Sequence, residues 1–413
     1  MLEGEIIRFY RKKAGLTQEQ LGEGICTTTH VSKIERGKTP YSSDIINLFS
    51  ERLGICLQQE MDALQNIESR LRQWHTSIIR QRKKEIEEQK RVLEDIPFIQ
   101  DSKHAAHYQL LRARYHLFNL DDKRANQIIK QLQRDFPSLS PYEHNLLLHV
   151  KGIYYIGNKL NNPEHQQKPF YYLKQVNMDI YGNKEYYYHL AVAYHMIGSK
   201  VMAYFYGDKA LQHFKETNNY FRSINAESVM LLQISGDDCF DFQKLVERYE
   251  DLIYDCDLLG LDDKKGLLLN NLGTEYFNMG DYAKSLECLK QALPLADKSS
   301  YIHLQRLLNY VDAGLNGKLL RKAILLKRIK EGISLSKRLN SELYLTLFLL
   351  LKVQAEEQIE EYFRLIENKA LPLFITSRHV SLIKRYGKLL YEYFVETNQH
   401  YKALETSKLL VKF

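Results

Sequence analysis

Residues 267–293, LLLNNLGTEYFNMGDYAKSLECLKQAL, decide the fold because their small and aromatic residues fall at fixed intervals along two short helical stretches. The residues that set these intervals are Gly273, Tyr276, Gly280, Tyr282 and Ala292. Ser285 stands where two packed helices would cross, a position that needs a small side chain. Residues 186–211 repeat the intervals with Ala191, Tyr194, Gly198, Ala203 and Ala210. Two copies of one helical hairpin predict an internal repeat.

These intervals resemble those of the tetratricopeptide repeat, and weaker copies extend them. Ala113, Gly152 and Ala191 lie 39 residues apart. The unit of about forty residues exceeds the common repeat length of about 34, and we expect the extra length in loops such as 157–169 and 235–239. Because one hairpin cannot bury its apolar face alone, hairpins of this kind stack. The resemblance implies an all-α fold in which about eight hairpins over residues 98–413 form a right-handed superhelix.

Polar residues on the first helix of each hairpin are candidate ligand contacts, because these helices line the inner wall of such a superhelix. An Asn amide both donates and accepts hydrogen bonds, so it suits the backbone of an extended peptide. We expect this role for Asn271, and for Asn309, which follows 38 residues later in the same register. Asn225, His189 and Arg114 are further candidates. A solvated polar side chain remains the alternative at each position.

The first sixty residues follow a different pattern of short amphipathic helices. Residues 3–14 place Ile6, Ile7 and Tyr10 on one helical stripe. Thr17 and Gln20 have the spacing of a capping box at the start of a second helix. The strings RKKAGLTQEQL (11–21), VSKIERGKTP (31–40) and LFSERLGI (48–55) resemble the helix-turn-helix family of phage repressors and their bacterial relatives. The resemblance covers roughly residues 4–55 and implies a DNA-binding domain over 1–56.

The helix-turn-helix resemblance also assigns residues to DNA. At the start of the recognition helix it places Thr28 and Thr29 at base edges, with Lys33 one turn further and Ser32 beside them. Gln18 would bind a phosphate at the start of the second helix. The other candidate phosphate contacts are Arg11, Arg36 and Lys38. For Glu35 an internal ion pair, with Arg11 as the candidate partner, is favoured over DNA contact, and Lys33 has the alternative of a solvated surface lysine.

Residues 57–97 connect these two parts of the chain. Residues 57–95 contain neither Gly nor Pro, which predicts one or two long helices that end at Pro97. Their apolar residues at helical spacing are Met61, Leu64, Ile67, Leu71, Trp74 and Ile78. The charged run 80–91 is interpreted as a solvated helix face instead of a nucleic-acid patch.

A repressor-like helix-turn-helix followed by long tetratricopeptide-like repeats resembles the Rap–Rgg–NprR–PlcR–PrgX family of peptide-responsive regulators, nearest to its NprR/PlcR branch. The resemblance implies a cytoplasmic quorum-sensing regulator that binds an operator in double-stranded DNA. It also implies a short signalling peptide as ligand, whose binding changes the conformation or the oligomer. A single DNA-binding head, the helix-turn-helix domain over residues 1–56, buries too little surface on DNA for strong selection of a site. We therefore expect a homodimer or a higher oligomer.

Three other interpretations remain open. The first is a phage arbitrium-type receptor that controls lysis and lysogeny. The second is a Rap-like protein that sequesters a response regulator of the sporulation phosphorelay through residues 57–110. The third is a scaffold whose groove binds a protein tail. Each keeps the helical repeats and changes their partner.

Several classes of protein are disfavoured by the sequence. The 5 Cys are scattered without metal-binding spacing, which is typical of reduced thiols. The chain has no signal-peptide pattern and no apolar run of membrane-spanning length. It contains no glycine-rich phosphate loop, no zinc-protease motif and no nucleophile elbow. We therefore expect a protein that is not an enzyme, with no cofactor, no metal and no membrane partner.

Overall fold

The computed structural model describes residues 2–39, 42–96, 99–100, 102–157, 167–234 and 241–412. The chain forms two compact units, Met1–Gln233 and Ile234–Phe413. All regular secondary structure of the described residues is helical. Over the same residues, every helix is too short or too polar to cross a bilayer.

The N-terminal domain consists of four short helices around a small apolar core. The helices are α1 (Leu2–Lys13), α2 (Gln18–Gly22), α3 (Thr28–Glu35) and α4 (Ser43–Leu53). The predicted capping box is present at the start of α2. The main-chain N–H of Gln20 donates to Thr17 Oγ1 over 3.1 Å, and the main-chain N–H of Thr17 donates to Gln20 Oε1 over 2.8 Å. The core contains Ile6, Ile7, Leu21, Val31, Ile34, Phe49 and Leu57.

The connector forms two helices, α5 (Leu57–Arg80) and α6 (Lys83–Glu94). Gln81, at φ 58°, ends α5 in the left-handed conformation. Ile67, Leu71, Trp74 and Ile78 are fully buried, as their helical spacing predicts. The Trp74 ring lies 6.1 Å from that of Tyr108, so α5 packs on the first repeat helix. The Leu64 side chain and Pro97, two parts of the connector prediction, lie outside the described residues.

Helical hairpins complete the first unit. They are formed by α7 (Ala105–Phe118) with α8 (Asp122–Asp135), α9 (Pro141–Gly157) with α10 (Lys168–Leu173), and α12 (Tyr186–Met196) with α13 (Lys200–Glu216). The short α11 (Met178–Tyr181) and α14 (Tyr220–Ile234) are the other helices. Gly152, one of the small residues spaced 39 positions apart, is required by packing, because a Cβ at this position would lie 2.5 Å from the Leu173 side chain. Most of the predicted loop 157–169 and all of 235–239 lie outside the described residues.

The second unit repeats the same architecture. Its first helices are α15 (Phe242–Leu258), α16 (Asp262–Asn278), α17 (Tyr282–Ala292), α18 (Tyr301–Asn316), α19 (Lys322–Arg338) and α20 (Glu342–Ala355). At the crossing of α16 and α17, a Cβ on Gly273 would lie 2.7 Å from Leu289. Ser285, which replaces the Ala usual in the repeat, donates its hydroxyl to the Gly273 carbonyl over 2.6 Å, so the buried hydroxyl is satisfied.

One hairpin of the second unit is irregular. Its second arm consists of α21 (Ile359–Leu365), a π-helical turn (Ile366–Ala370) and α22 (Leu371–Thr376). Pro372 lies at the start of α22 and has no N–H to continue an α-helical ladder, so a turn of different pitch precedes it. The last hairpin, α23 (Val380–Glu396) with α24 (His400–Leu410), is regular again.

Candidate functional site

The recognition helix α3 presents one polar face to solvent. Val31 and Ile34 are fully buried and fix the orientation of the helix on the domain core. Thr28, Thr29 and Lys33 are consequently exposed, and Ser32 is half-buried beside them. Thr27 caps the helix, because its side chain accepts a hydrogen bond from the His30 N–H. The structure thus brings the three predicted base-edge residues together on α3, with Ser32 beside them.

Two of the predicted phosphate contacts lie on the surface just beyond α3. Arg36 is the C-cap residue of α3, and Lys38 follows Gly37; both side chains are exposed. With Lys33 they provide three exposed cations within six residues of chain. Cations in this arrangement fix the position of a helix on DNA without reading its sequence.

Arg11 does not belong to this surface, and its prediction as a phosphate contact is corrected here. It is 9% exposed, and its guanidinium donates to Glu35 over 2.5 and 3.1 Å and to the Leu16 carbonyl over 2.8 Å. Glu35 therefore forms the internal ion pair that the sequence favoured. Gln18 joins this network, because its side-chain amide donates to Glu35 over 2.7 Å. Any bond from Gln18 to a phosphate is thus left to its main-chain N–H, one of the unpaired donors at the start of α2.

A buried polar cluster lies within the first unit around Glu185. The Glu185 carboxylate is fully buried and accepts hydrogen bonds from Arg114 over 2.6 Å and from Arg222 over 2.7 Å. Burial alone would raise the pKa of the Glu185 carboxyl, but these two guanidinium groups hold the pKa far below its usual range. The carboxylate therefore links α7, α12 and α14.

The end of the connector helix α5 contacts this cluster. Asn219 and Arg222 both donate to the main-chain carbonyl of Ile79, over 3.2 and 3.3 Å. This carbonyl is one of those that a helix leaves unpaired in its last turn. Arg222 thus joins the buried carboxylate of Glu185 to the C-terminus of α5. Glu185 and Arg222 were not predicted from the sequence, because no local pattern marks two residues that meet across 37 positions.

Three of the predicted ligand contacts lie in or near this cluster and are buried. Arg114 is 3% exposed, His189 5% and Asn225 6%. Arg114 is engaged by Glu185, and His189 Nδ1 lies 2.9 Å from His149 Nε2. Arg114 and His189 thus bond to other protein groups and Asn225 is also buried, so the ligand contacts of all three stay predictions that require the cluster to open.

His149, Glu185 and His189 are the described residues whose positions suit a metal ion. Their ligand atoms lie within 4.8 Å of one another, and Glu185 and His189 are one helical turn apart. Burial lowers the pKa of His149 to about 3 and lowers that of His189, so both rings are neutral, as ligands must be. Arg114 and Arg222, however, already give the cluster an excess of positive charge. A divalent cation would add to this buried charge, and we assign no metal here.

The predicted asparagines of the second unit lie on neighbouring helices. The Asn309 amide donates to Asn270 Oδ1 over 3.1 Å, which joins α18 to α16. Asn309 and Asn271 are both half-buried, whereas Asn270 is 6% exposed. Asn270 was not among the predicted residues, and its only signal in the sequence is its position next to Asn271. The amide pair leaves one carboxamide oxygen, on Asn309, and one amide group, on Asn270, for other partners.

Comparison with known proteins supports both parts of this description. Residues 7–56 match the family model described as helix-turn-helix. Over 418 residues the chain is 23% identical to the transcriptional activator NprA of Geobacillus stearothermophilus, covering 95% of this chain and 98% of NprA. The chain is thus similar to NprA over nearly its whole length. This confirms the N-terminal helix-turn-helix and the resemblance to the Rap–Rgg–NprR–PlcR–PrgX family.

The chain also shares its fold with the quorum sensor NprR. The apo form of NprR from B. thuringiensis matches with a TM-score of 0.67 and 19% identity, over 84% of this chain and 98% of NprR. NprR in complex with its cognate peptide NprX matches with a TM-score of 0.65 and 19% identity, over 82% of this chain and 97% of NprR. The all-α fold with tetratricopeptide-like hairpins, predicted from the sequence, is therefore confirmed.

Proposed function

We propose that this chain is a cytoplasmic transcription regulator that binds an operator through α3 and binds a short signalling peptide through its helical repeats. The observation that carries the proposal is the exposed face of Thr28, Thr29 and Lys33 on a helix held by Val31 and Ile34. A helix with this anchorage and short polar side chains at its start suits the major groove, where Thr and Lys read base edges.

The peptide part of the proposal is supported by the fold and by the positions of Asn271 and Asn309. NprR, which shares the fold, is described in complex with a cognate peptide. In this chain Asn271 and Asn309 are half-buried on neighbouring helices of one unit, which suits bonding to a peptide backbone. A peptide that binds one conformation of the repeats better than another shifts the population toward that conformation. In a dimer such a shift would change the distance between the two DNA-binding heads.

The experiment is a selection of randomised double-stranded DNA on the purified full chain, with and without a synthetic library of short peptides. We expect one sequence motif to be enriched in one of the two conditions. K33A is expected to change the bases enriched, whereas K215A, which alters an exposed lysine on α13, leaves them unchanged. Enrichment of no motif in either condition would contradict the proposal. Capture of response regulators by the same chain, with or without residues 1–56, tests the Rap-like alternative.

A further inference from the structure

Arg385 and Asp312 form a two-pronged ion pair between distant parts of the second unit. Arg385 Nη1 donates to Asp312 Oδ2 over 2.6 Å, and Nη2 donates to Oδ1 over 3.0 Å. Asn316 also donates to Asp312 Oδ1, over 2.7 Å. The pair joins α23 to α18 across 73 residues of sequence, so it links the last hairpin to one that is not its neighbour in the chain.

Aromatic rings on two helices complete the surroundings of the guanidinium. The Arg385 guanidinium carbon lies 5.3 Å from the ring centre of Phe277 on α16 and 5.4 Å from that of Tyr386 on α23. Both distances are within the range of a cation–π interaction. A carboxylate and two ring faces are thus arranged around one planar cation. The same arrangement would suit an arginine or lysine side chain that came from another molecule.

The two partners differ in exposure, and this difference assigns their roles. The Asp312 side chain is 12% exposed, whereas that of Arg385 is 39% exposed. A long side chain with this exposure can rotate into water and keep its charge hydrated. The short side chain of Asp312 cannot rotate into water in this way. Without a cation beside it, its carboxylate would remain a nearly buried, uncompensated charge. Asp312 is therefore the fixed site, and Arg385 is the partner that can be exchanged.

The ion pair lies on the same helix as a predicted peptide contact. Asn309 precedes Asp312 by three residues on α18, so the two lie on one face of the helix, roughly 4.5 Å apart along its axis. Asn270 and Phe277 on α16 are seven residues apart and share a face in the same way. An extended peptide advances about 3.3 Å per residue. The peptide residue whose side chain reaches Asp312 therefore lies one or two residues away from the peptide residue whose backbone is bound at Asn309.

We propose that Asp312 and Phe277 form a subsite for one basic side chain of the peptide ligand, and that Arg385 fills this subsite until the ligand displaces it. The inference rests on the proposed function and adds the charge of the ligand to it. Exchange of one cation for another leaves the buried charge unchanged, so rehydration of the displaced Arg385 offsets the desolvation of the incoming cation. The chain thereby selects for a basic residue and rejects an acidic one.

The test is affinity selection of a randomised library of short peptides on the immobilised full chain, and the retained peptides are identified by mass spectrometry. For the wild type we expect Arg and Lys to be enriched at one position by about tenfold, which corresponds to one charge-assisted hydrogen bond. R385Q removes the internal competitor and should retain more of these peptides. D312N should abolish the enrichment. R364Q, which alters an exposed arginine paired with Glu361 in the same unit, is the control and should match the wild type.

A charge exchange separates this subsite from a merely structural ion pair. In the D312K/R385E variant a ligand carboxylate would compete with the introduced glutamate for the introduced lysine, so enrichment should change from Arg and Lys to Asp and Glu. A thermal melt of each variant confirms that it folds. Retention of peptides without a basic preference, or a preference that D312N leaves intact, would overturn the subsite and spare the proposed function. Retention of no peptide by any folded variant would overturn both.

Discussion

The buried Arg11–Glu35 pair is a single contact on which the geometry of the DNA-binding head depends. Removing one partner of a buried ion pair costs about 3–5 kcal/mol, because the other charge stays buried without compensation. E35A leaves Arg11 in this position and also removes the acceptor of Gln18. We therefore expect amide hydrogen exchange in α1 and α3 to accelerate by at least about a hundredfold, the factor that such a free-energy loss implies.

The control for this prediction is E23A, which removes an exposed carboxylate from the same domain. Exchange in α1 and α3 should then remain as in the wild type. If E35A exchanged as slowly as E23A, the ion pair would not stabilise the head. Arg11 would then be available for the phosphate contact that the sequence predicted.

The buried histidines of the first unit predict a loss of stability in mild acid. Burial lowers the pKa of His75 and His149 to about 3 and that of His107 to about 4, whereas an unfolded histidine titrates near 6.5. Between these values the unfolded chain binds more protons, so stability falls as the pH drops below about 6.5. At pH 5 each histidine should cost about 2 kcal/mol, because one pKa unit corresponds to about 1.4 kcal/mol.

Urea unfolding of the full chain at pH 7.5 and pH 5 measures this effect. H149Q removes one of these titrating groups, so the difference between the two pH values should shrink by about 2 kcal/mol. H400Q alters an exposed histidine at the start of α24 and should leave the difference unchanged. An equal pH dependence for H149Q and the wild type would mean that His149 is not held neutral by the fold.

At the scale of helices, the bonds to the Ile79 carbonyl predict how the connector is held. R222M removes the bond to Ile79 and one of the two cations on Glu185. We expect faster amide exchange over residues 78–83, from the end of α5 to the start of α6, with α1 unaffected. R134M, at an exposed arginine in the last turn of α8, is the matched control. Unchanged exchange at 78–83 would show that Asn219 alone is sufficient to hold the end of α5.

Elements with a local signal were predictable from the sequence, and contacts between distant elements were not. Gly152 and Gly273 lie where helices touch. The regular intervals at which such small residues recur along the sequence predicted the hairpins. The π-helical turn before Pro372 was missed, because a proline marks a break in the helix without giving its geometry. Arg114 has the spacing of an inner-wall residue, but the sequence does not reveal that Glu185, 71 residues later, engages it.

At the scale of the whole molecule, the proposed dimer makes the spacing of DNA half-sites a measurable quantity. Two heads on one duplex must face the same side, so half-sites lie about one helical turn apart or a multiple of it. Insertion of about 5 base pairs between the half-sites of a selected operator turns one of them by about half a turn, and insertion of about 10 restores the phase. We expect the first operator to lose binding and the second to recover it, as measured by gel shift.

The salt dependence of the same binding counts the phosphate contacts of the assembled protein. Each phosphate neutralised contributes about 0.9 to the slope of log affinity against log salt concentration. Arg36 and Lys38 are exposed beside α3, so R36A/K38A should remove two contacts from each head. In a dimer the slope should then fall by about 3.6, and in a monomer by about half as much. K12A, at an exposed lysine of α1, is the control. An unchanged slope for R36A/K38A would place the phosphate contacts elsewhere on the head. A decrease of the slope by only the amount expected for a monomer would argue against two heads per operator.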